Sequence, residues 1–157
     1  PYITEFYGAK VDLDSEELLS EYDTLIRVPN PLTPKIVKIT GITDEMLMDK
    51  SPFSVHAPAI KAFIEDPEID LAIAHNLSFD LEMLQVEFER LGMTVNWPKR
   101  KVCTVEATVH LKGFRLNLQG LHEYLFGTKF AEAHRAKHDV GALTRCSVEL
   151  YKRGELI

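Results

Sequence analysis

The chain has little cysteine. Cys103 and Cys146 lie far apart and form no Cys-x-x-Cys pair, which excludes the common zinc-ribbon spacing and a disulfide framework. Two isolated thiols fit a reducing, cytoplasmic setting. No apolar run is long enough to span a membrane, and no signal-peptide pattern opens the chain. Positive charge is also short, with 18 Lys and Arg against 24 Asp and Glu and a net charge of −6. A broad basic footprint on duplex nucleic acid is therefore disfavoured, leaving a local groove or metal ions as the means of contact. Internal repeats, low-complexity tracts and a second domain are absent. So is methionine at position 1, where PYITEFYGAKVD already reads as a strand. The expectation is one N-terminally truncated domain over residues 1–157.

What is present is enough for a real core, since 45% of 157 residues are hydrophobic. Residues 3–11 read as a strand, and residues 24–28 (TLIRV) as a second that pairs with it. PNPLTP, three prolines in six residues, breaks the chain. Thr43, followed by Asp44 and Glu45, marks a helix start. Further helices are expected over 55–64, 78–91, 117–126 and 136–152, with a strand at 71–74. VCTVEATV begins as a strand and turns into a short helix. Early strands followed by alternating helix and strand give an α/β fold with a mixed sheet covered by helices.

The stretch DLAIAHNLSFDLEML joins the strand at 71–74 to a helix through His75, Asn76 and Asp80. An acid in a helix's first turn is ordinarily there for the dipole. Asp139 is harder to explain that way, because it lies four residues before Leu143 on the stripe Leu143, Cys146, Leu150. A carboxylate on a core-facing stripe needs a partner, a hydrogen bond or a cation. His134, in a loop with Glu132, is either solvated or a general base beside a metal-bound water. His138 reads as surface, and His56, His110 and His122 have no partner at ligand spacing. TGIT at Thr40–Thr43 is either helix capping or a turn facing a ligand.

Taken together, HNLSFD (His75–Asp80) and HRAKHD (His134–Asp139) resemble the second and third motifs of the DEDD exonuclease superfamily. The match is to its histidine-containing branch, the group that is similar to the DNA polymerase III epsilon proofreading subunit. TGITDEML resembles a further element of that group, and ITEFYGAKVD resembles its second strand. The resemblance implies an RNase H-like fold and hydrolysis of 3′-terminal nucleotides with two Mg2+ ions, Mn2+ being a possible substitute. It implies that Asp80 and Asp139 are metal ligands and that His134 is the general base. Thr40, Gly41, Ile42, His75 and Asn76 would serve the substrate or the loops that hold it, with Phe79 filling the core beneath. The implied partners are single-stranded or frayed DNA 3′ ends and a DNA polymerase.

One departure matters. The family's Asp-x-Glu motif on the opening strand is not in this sequence, so the fold is expected to lack its first strand and the site two of its four acids. Asp66-Pro67-Glu68 has the spacing but follows a helix. Glu5 lies in the second strand and is not one of the four. As given, the chain is expected to bind metal weakly and to cleave poorly. Two alternatives stand beside the DNA exonuclease: a non-catalytic module that holds nucleic-acid ends or a polymerase, and an exonuclease for RNA 3′ ends.

Overall fold

The computed structural model describes residues 1–131 and 134–157. Glu132, noted beside His134, lies outside the described residues.

β1 (Glu5–Val11) and β2 (Leu18–Leu25) form an antiparallel hairpin. The Asp12 carboxylate turns it, accepting from the backbone N–H of Asp14 at 2.9 Å and of Ser15 at 3.1 Å. β2 begins earlier than the expected 24–28. Its sequence LLSEYDTL lacks clean alternation, and pairing along the whole of β1 decides its extent. Ile26, just beyond β2, is fully buried.

The proline-rich segment starts a helix as well as breaking the chain. α1 (Pro34–Thr40) has Pro34 at its first position, and the Thr33 hydroxyl accepts from the Ile36 N–H at 3.3 Å. This helix was not expected from the sequence. α2 (Asp44–Leu47) starts where Thr43 predicts, with the Thr43 hydroxyl accepting from the Met46 N–H at 3.2 Å. α3 (Phe53–Ile64) packs against the hairpin.

β3 (Leu71–Ala74) and β4 (Arg100–Cys103) pair in parallel, from Leu71↔Arg100 to Ala74↔Cys103. α4 (Leu77–Arg90) is their crossover. α5 (Thr104–Lys112) continues directly from β4, α6 (Leu118–Phe126) is capped by Asn117, and α7 (Ala136–Lys152) closes the fold.

The core has two parts. Ile3, Ile26, Phe53, Ile60, Leu84 and Phe88 join the hairpin to α3 and α4. Leu116, Leu121, Leu125, Cys146 and Leu150 join α6 to α7, with Ile73 and Val102 of the parallel ribbon against them. Both antiparallel and parallel pairing occur, as a mixed sheet requires. Among the described residues they form two separate ribbons. β1 and β3 thus each have a strand partner on one side only, and every residue of both strands is half-buried. Open edges of this kind are pairing sites. No described helix is long and apolar enough to cross a membrane.

Candidate active site

The seam at the end of β3 is built by backbone geometry. Asn76 adopts a left-handed conformation, φ 68°, and immediately precedes α4. Its exposed side chain makes no capping bond, so the turn is fixed by other groups. The Leu77 N–H points to the Cys103 sulfur at 3.4 Å. His75 is held at both ring nitrogens, by the Leu116 carbonyl at 2.8 Å from Nε2 and the Thr104 hydroxyl at 2.8 Å from Nδ1. A carbonyl only accepts, so Nε2 carries the proton and Nδ1 accepts from Thr104. Burial lowers the proton affinity of His75, which favours this neutral form. With both nitrogens occupied, His75 shapes the loop, and Asn76 is the side chain of the pair left facing solvent.

α4 then presents Asp80 in its first turn. Phe79 does not fill the core as expected, because it is 56% exposed. The helical stripe toward the core runs through Leu77, Leu84 and Phe88, and Phe79 falls off it. Asp80 itself is solvent-exposed, yet surrounding protein pushes its carboxyl up to about 6, with the charge of Asp139 adding to the effect.

Asp139 lies in the first turn of α7 and is half-buried. Its two oxygens accept from the His134 N–H at 3.0 and 3.1 Å. That closes the five-residue loop of the motif and places His134 in a left-handed turn, φ 73°. Burial raises the proton affinity of Asp139, against the His134 hydrogen bond that lowers it. His134 is exposed, leaving its ring open to the solvent side.

The TGIT segment serves two caps. Thr40 ends α1, its hydroxyl donating to the Ile36 carbonyl at 2.8 Å and accepting from the Ile42 N–H at 3.1 Å. Gly41 takes φ 74°, the left-handed position that closes helices. The Ile42 side chain is fully buried, so a ligand could reach only its backbone. No described hydrogen bond or ion pair ties this turn to Asp80 or Asp139.

Sequence reasoning passed over Glu5 as a site residue. Its buried carboxylate accepts from the Ala136 N–H at 2.8 Å and from Arg135 Nη2 at 3.0 Å and Nε at 3.2 Å. β1 is thereby fastened to the N-terminus of α7, between His134 and Asp139. The available signal was a carboxylate inside the strand ITEFYGAKV, an acid that must find a partner.

Asp80 and Asp139 are acids in the first turns of separate helices, and the charge of Asp139 adds to the burial that raises the Asp80 carboxyl. Oxygen donors that repel one another suit a hard divalent cation, which binds through one or two carboxylates and keeps several waters. No group of three or more His, Cys, Asp or Glu able to hold a metal occurs among the described residues. The pair also has a pH signature. The carboxyl of Asp80 rises from 3.8 to about 6 on folding, so the folded state binds more protons in that interval. Metal-free stability is therefore expected to fall as pH rises from about 4 to about 6. Thermal melts of Asp80→Asn should lose part of that fall. Mg2+ at about one hundred times its Kd should restore about 2.7 kcal/mol at neutral pH and little at pH 4. A melt indifferent to both pH and Mg2+ would contradict the coupling.

The family described as Exonuclease (RNase T) matches residues 1–146. The chain is 28% identical to DNA polymerase III PolC-type of Listeria innocua over 96% of its own length and 10% of that protein. It is 30% identical to DNA polymerase III subunit epsilon of Pasteurella multocida, over 59% of this chain and 34% of that one. Among solved structures, the nuclease domain of 3′hExo, a DEDDh family member bound to rAMP, superposes with a TM-score of 0.79. Its sequence identity is 16%, over 99% of this chain and 84% of that one, a likeness that shows the fold. The chain spans about a tenth of the length of the PolC-type relatives it matches.

Proposed function

The chain belongs to the Exonuclease (RNase T) family, and from that membership we propose a metal-dependent 3′–5′ exonuclease that removes nucleotides from DNA ends in proofreading or repair. What supports this reading is the charge of Asp139 on α7 acting on Asp80 of α4, together with the His134 N–H bonded to Asp139. Members of this family generally use divalent metals, and the donor chemistry of the two carboxylates fits Mg2+, with Mn2+ as a substitute.

Bound there, two such ions would polarise the scissile phosphate and lower the pKa of the attacking water. Asp80 and Asp139 would hold the cations. His134 takes the proton from the water at a ring nitrogen on its exposed side. Phe79, exposed and next to Asp80, offers a ring on which a terminal base stacks, and Asn76 offers an amide beside it. Two further carboxylates would have to come from a strand laid along the open edges of β1 and β3. The setting we propose is cytoplasmic, with a replicative polymerase as partner. That follows from the relatives named DNA polymerase III.

A second reading is a non-catalytic module that holds 3′ ends or a polymerase. The natural full-length protein, incubated with 5′-labelled single-stranded DNA and Mg2+, separates the two. Loss of one nucleotide at a time from the 3′ end, stopped by chelation, is the expected result. Intact DNA under saturating metal would leave the module reading, and faster shortening of RNA of the same sequence would move the substrate to RNA.

A further inference from the structure

Away from the carboxylates, a shallow groove of about 370 Å3 lies over the turn between α5 and α6. Lys112, Phe114, Arg115, Leu116, Asn117 and Tyr124 line it, with Glu123 as the one acid among the lining residues. Its make-up differs from the rest of a chain whose net charge is −6. Two large aromatic side chains stand open to solvent, Phe114 at 57% and Tyr124 at 41% exposure. Cations interleave them. The Lys112 ammonium lies 5.9 Å from the centre of the Tyr124 ring, and Arg115 is paired with Glu106 of α5.

The groove connects to the candidate active site. Leu116, in its floor, gives its carbonyl to His75 at 2.8 Å. The positive charge of Arg115 also reaches that histidine, opposing its protonation. His75 and Asn76 in turn start the helix that carries Asp80. A molecule lying in the groove would therefore have one end near the seam.

We infer that the α5–α6 groove holds the single-stranded nucleotides on the 5′ side of the terminal residue, with Phe114 and Tyr124 stacking bases and Lys112 facing a phosphate. This rests on the exonuclease reading for the direction of the strand, and on the groove's own chemistry for the ligand. Aromatic faces spaced by cations bind single strands without reading sequence, because every base has a π-face and every linkage a negative charge. A protein partner would call for a contiguous apolar patch, whereas here each exposed ring has a cation next to it in sequence or in space. Phe114 and Lys112 flank Gly113, which takes φ 78°, so the turn projects both side chains from one short segment.

The test is equilibrium binding of a labelled oligothymidylate of about ten nucleotides by the natural full-length protein in chelator, where no cleavage occurs. Phe114→Ala is expected to weaken binding about tenfold, the effect of losing one stacked base. Lys112→Glu should weaken it as well, and should flatten the dependence of log affinity on log salt by about 0.7. Lys99→Glu, the same charge change on an exposed side chain at the far end of β4, should bind within about twofold of the native protein. Unaltered affinity in both groove variants, or an equal loss in Lys99→Glu, overturns the inference, as does absence of strand binding by the native protein. The outcome is separable from the fate of the exonuclease reading. A protein that binds through the groove but never shortens DNA keeps the groove as a single-strand site, gives up the direction of the strand, and loses that reading. One that shortens DNA while ignoring the groove substitutions does the reverse.

Discussion

Asp139→Asn is expected to lower metal-dependent 3′ cleavage by about 10³-fold or more in the natural full-length protein. That factor corresponds to the several kcal/mol of transition-state stabilisation a positioned metal supplies. The reasoning is local. Asparagine is close in shape to aspartate and retains one oxygen that can accept from the His134 N–H, so the loop closed by the 3.0 and 3.1 Å hydrogen bonds is largely preserved. The charge a cation would bind is not. His134→Ala is the companion. It removes the proton acceptor and keeps the Asp139 charge, so cleavage should drop about 10²–10⁴-fold while the Mg2+-induced rise in melting temperature survives. The residual rate in His134→Ala should climb with pH as hydroxide takes over from the missing base. Measuring kcat and the Mg2+ melt shift on both variants separates the roles: Asp139→Asn loses both, His134→Ala only the first. Unchanged Mg2+-dependent cleavage in Asp139→Asn would sink the site assignment.

The two carboxylates were legible because their surroundings were. Leu71–Ala74 is a short apolar strand and the α4 stripe has helical period, so the polar seam between them stood out. Asp139 stood out by lying on the Leu143, Cys146, Leu150 face. The helix boundaries at Asn117 and Gly127 were equally plain, since each position has chemistry that a cap uses. What was not legible depended on contacts distant in sequence. β2 takes its extent from the backbone of β1. α1 hid behind a proline cluster that reads as a breaker unless Thr33 and Pro34 are seen as cap and first turn. Phe79 was expected in the core, but it lies off the Leu77, Leu84, Phe88 stripe and is exposed. His75 was open between the substrate and the loop that holds it, and the partners of its ring, Thr104 and Leu116, lie 29 and 41 residues away, where no local pattern reveals them. The pairing of Glu5 with Arg135 spans 130 residues, and no local pattern reveals it.

That pairing leads to the other large effect. Glu5→Ala should destabilise the fold and impair the site together. The carboxylate is 8% exposed, while Arg135 keeps 36% of its side-chain surface, so the loss falls on the buried end of the contact. The Ala136 N–H at 2.8 Å remains behind without its acceptor at the start of α7. Losing charged hydrogen bonds of this kind costs about 1.5–3 kcal/mol, or roughly 3–12 °C of melting temperature for a chain of this size. A purely structural anchor would stop there. Glu5 is also a positioning residue, because the segment it clamps lies between His134 and Asp139, and freeing it lets the two drift apart. Glu5→Ala should therefore also reduce the Mg2+-induced melt shift, measured relative to its own metal-free baseline. Glu5→Gln distinguishes geometry from charge. Its amide oxygen can still accept from Ala136, so geometry predicts a Mg2+ response near native, whereas a direct charge effect on Asp139 predicts a response as weak as that of alanine. If Glu5→Ala melts lower but keeps the full Mg2+ shift, the clamp holds the fold and not the site.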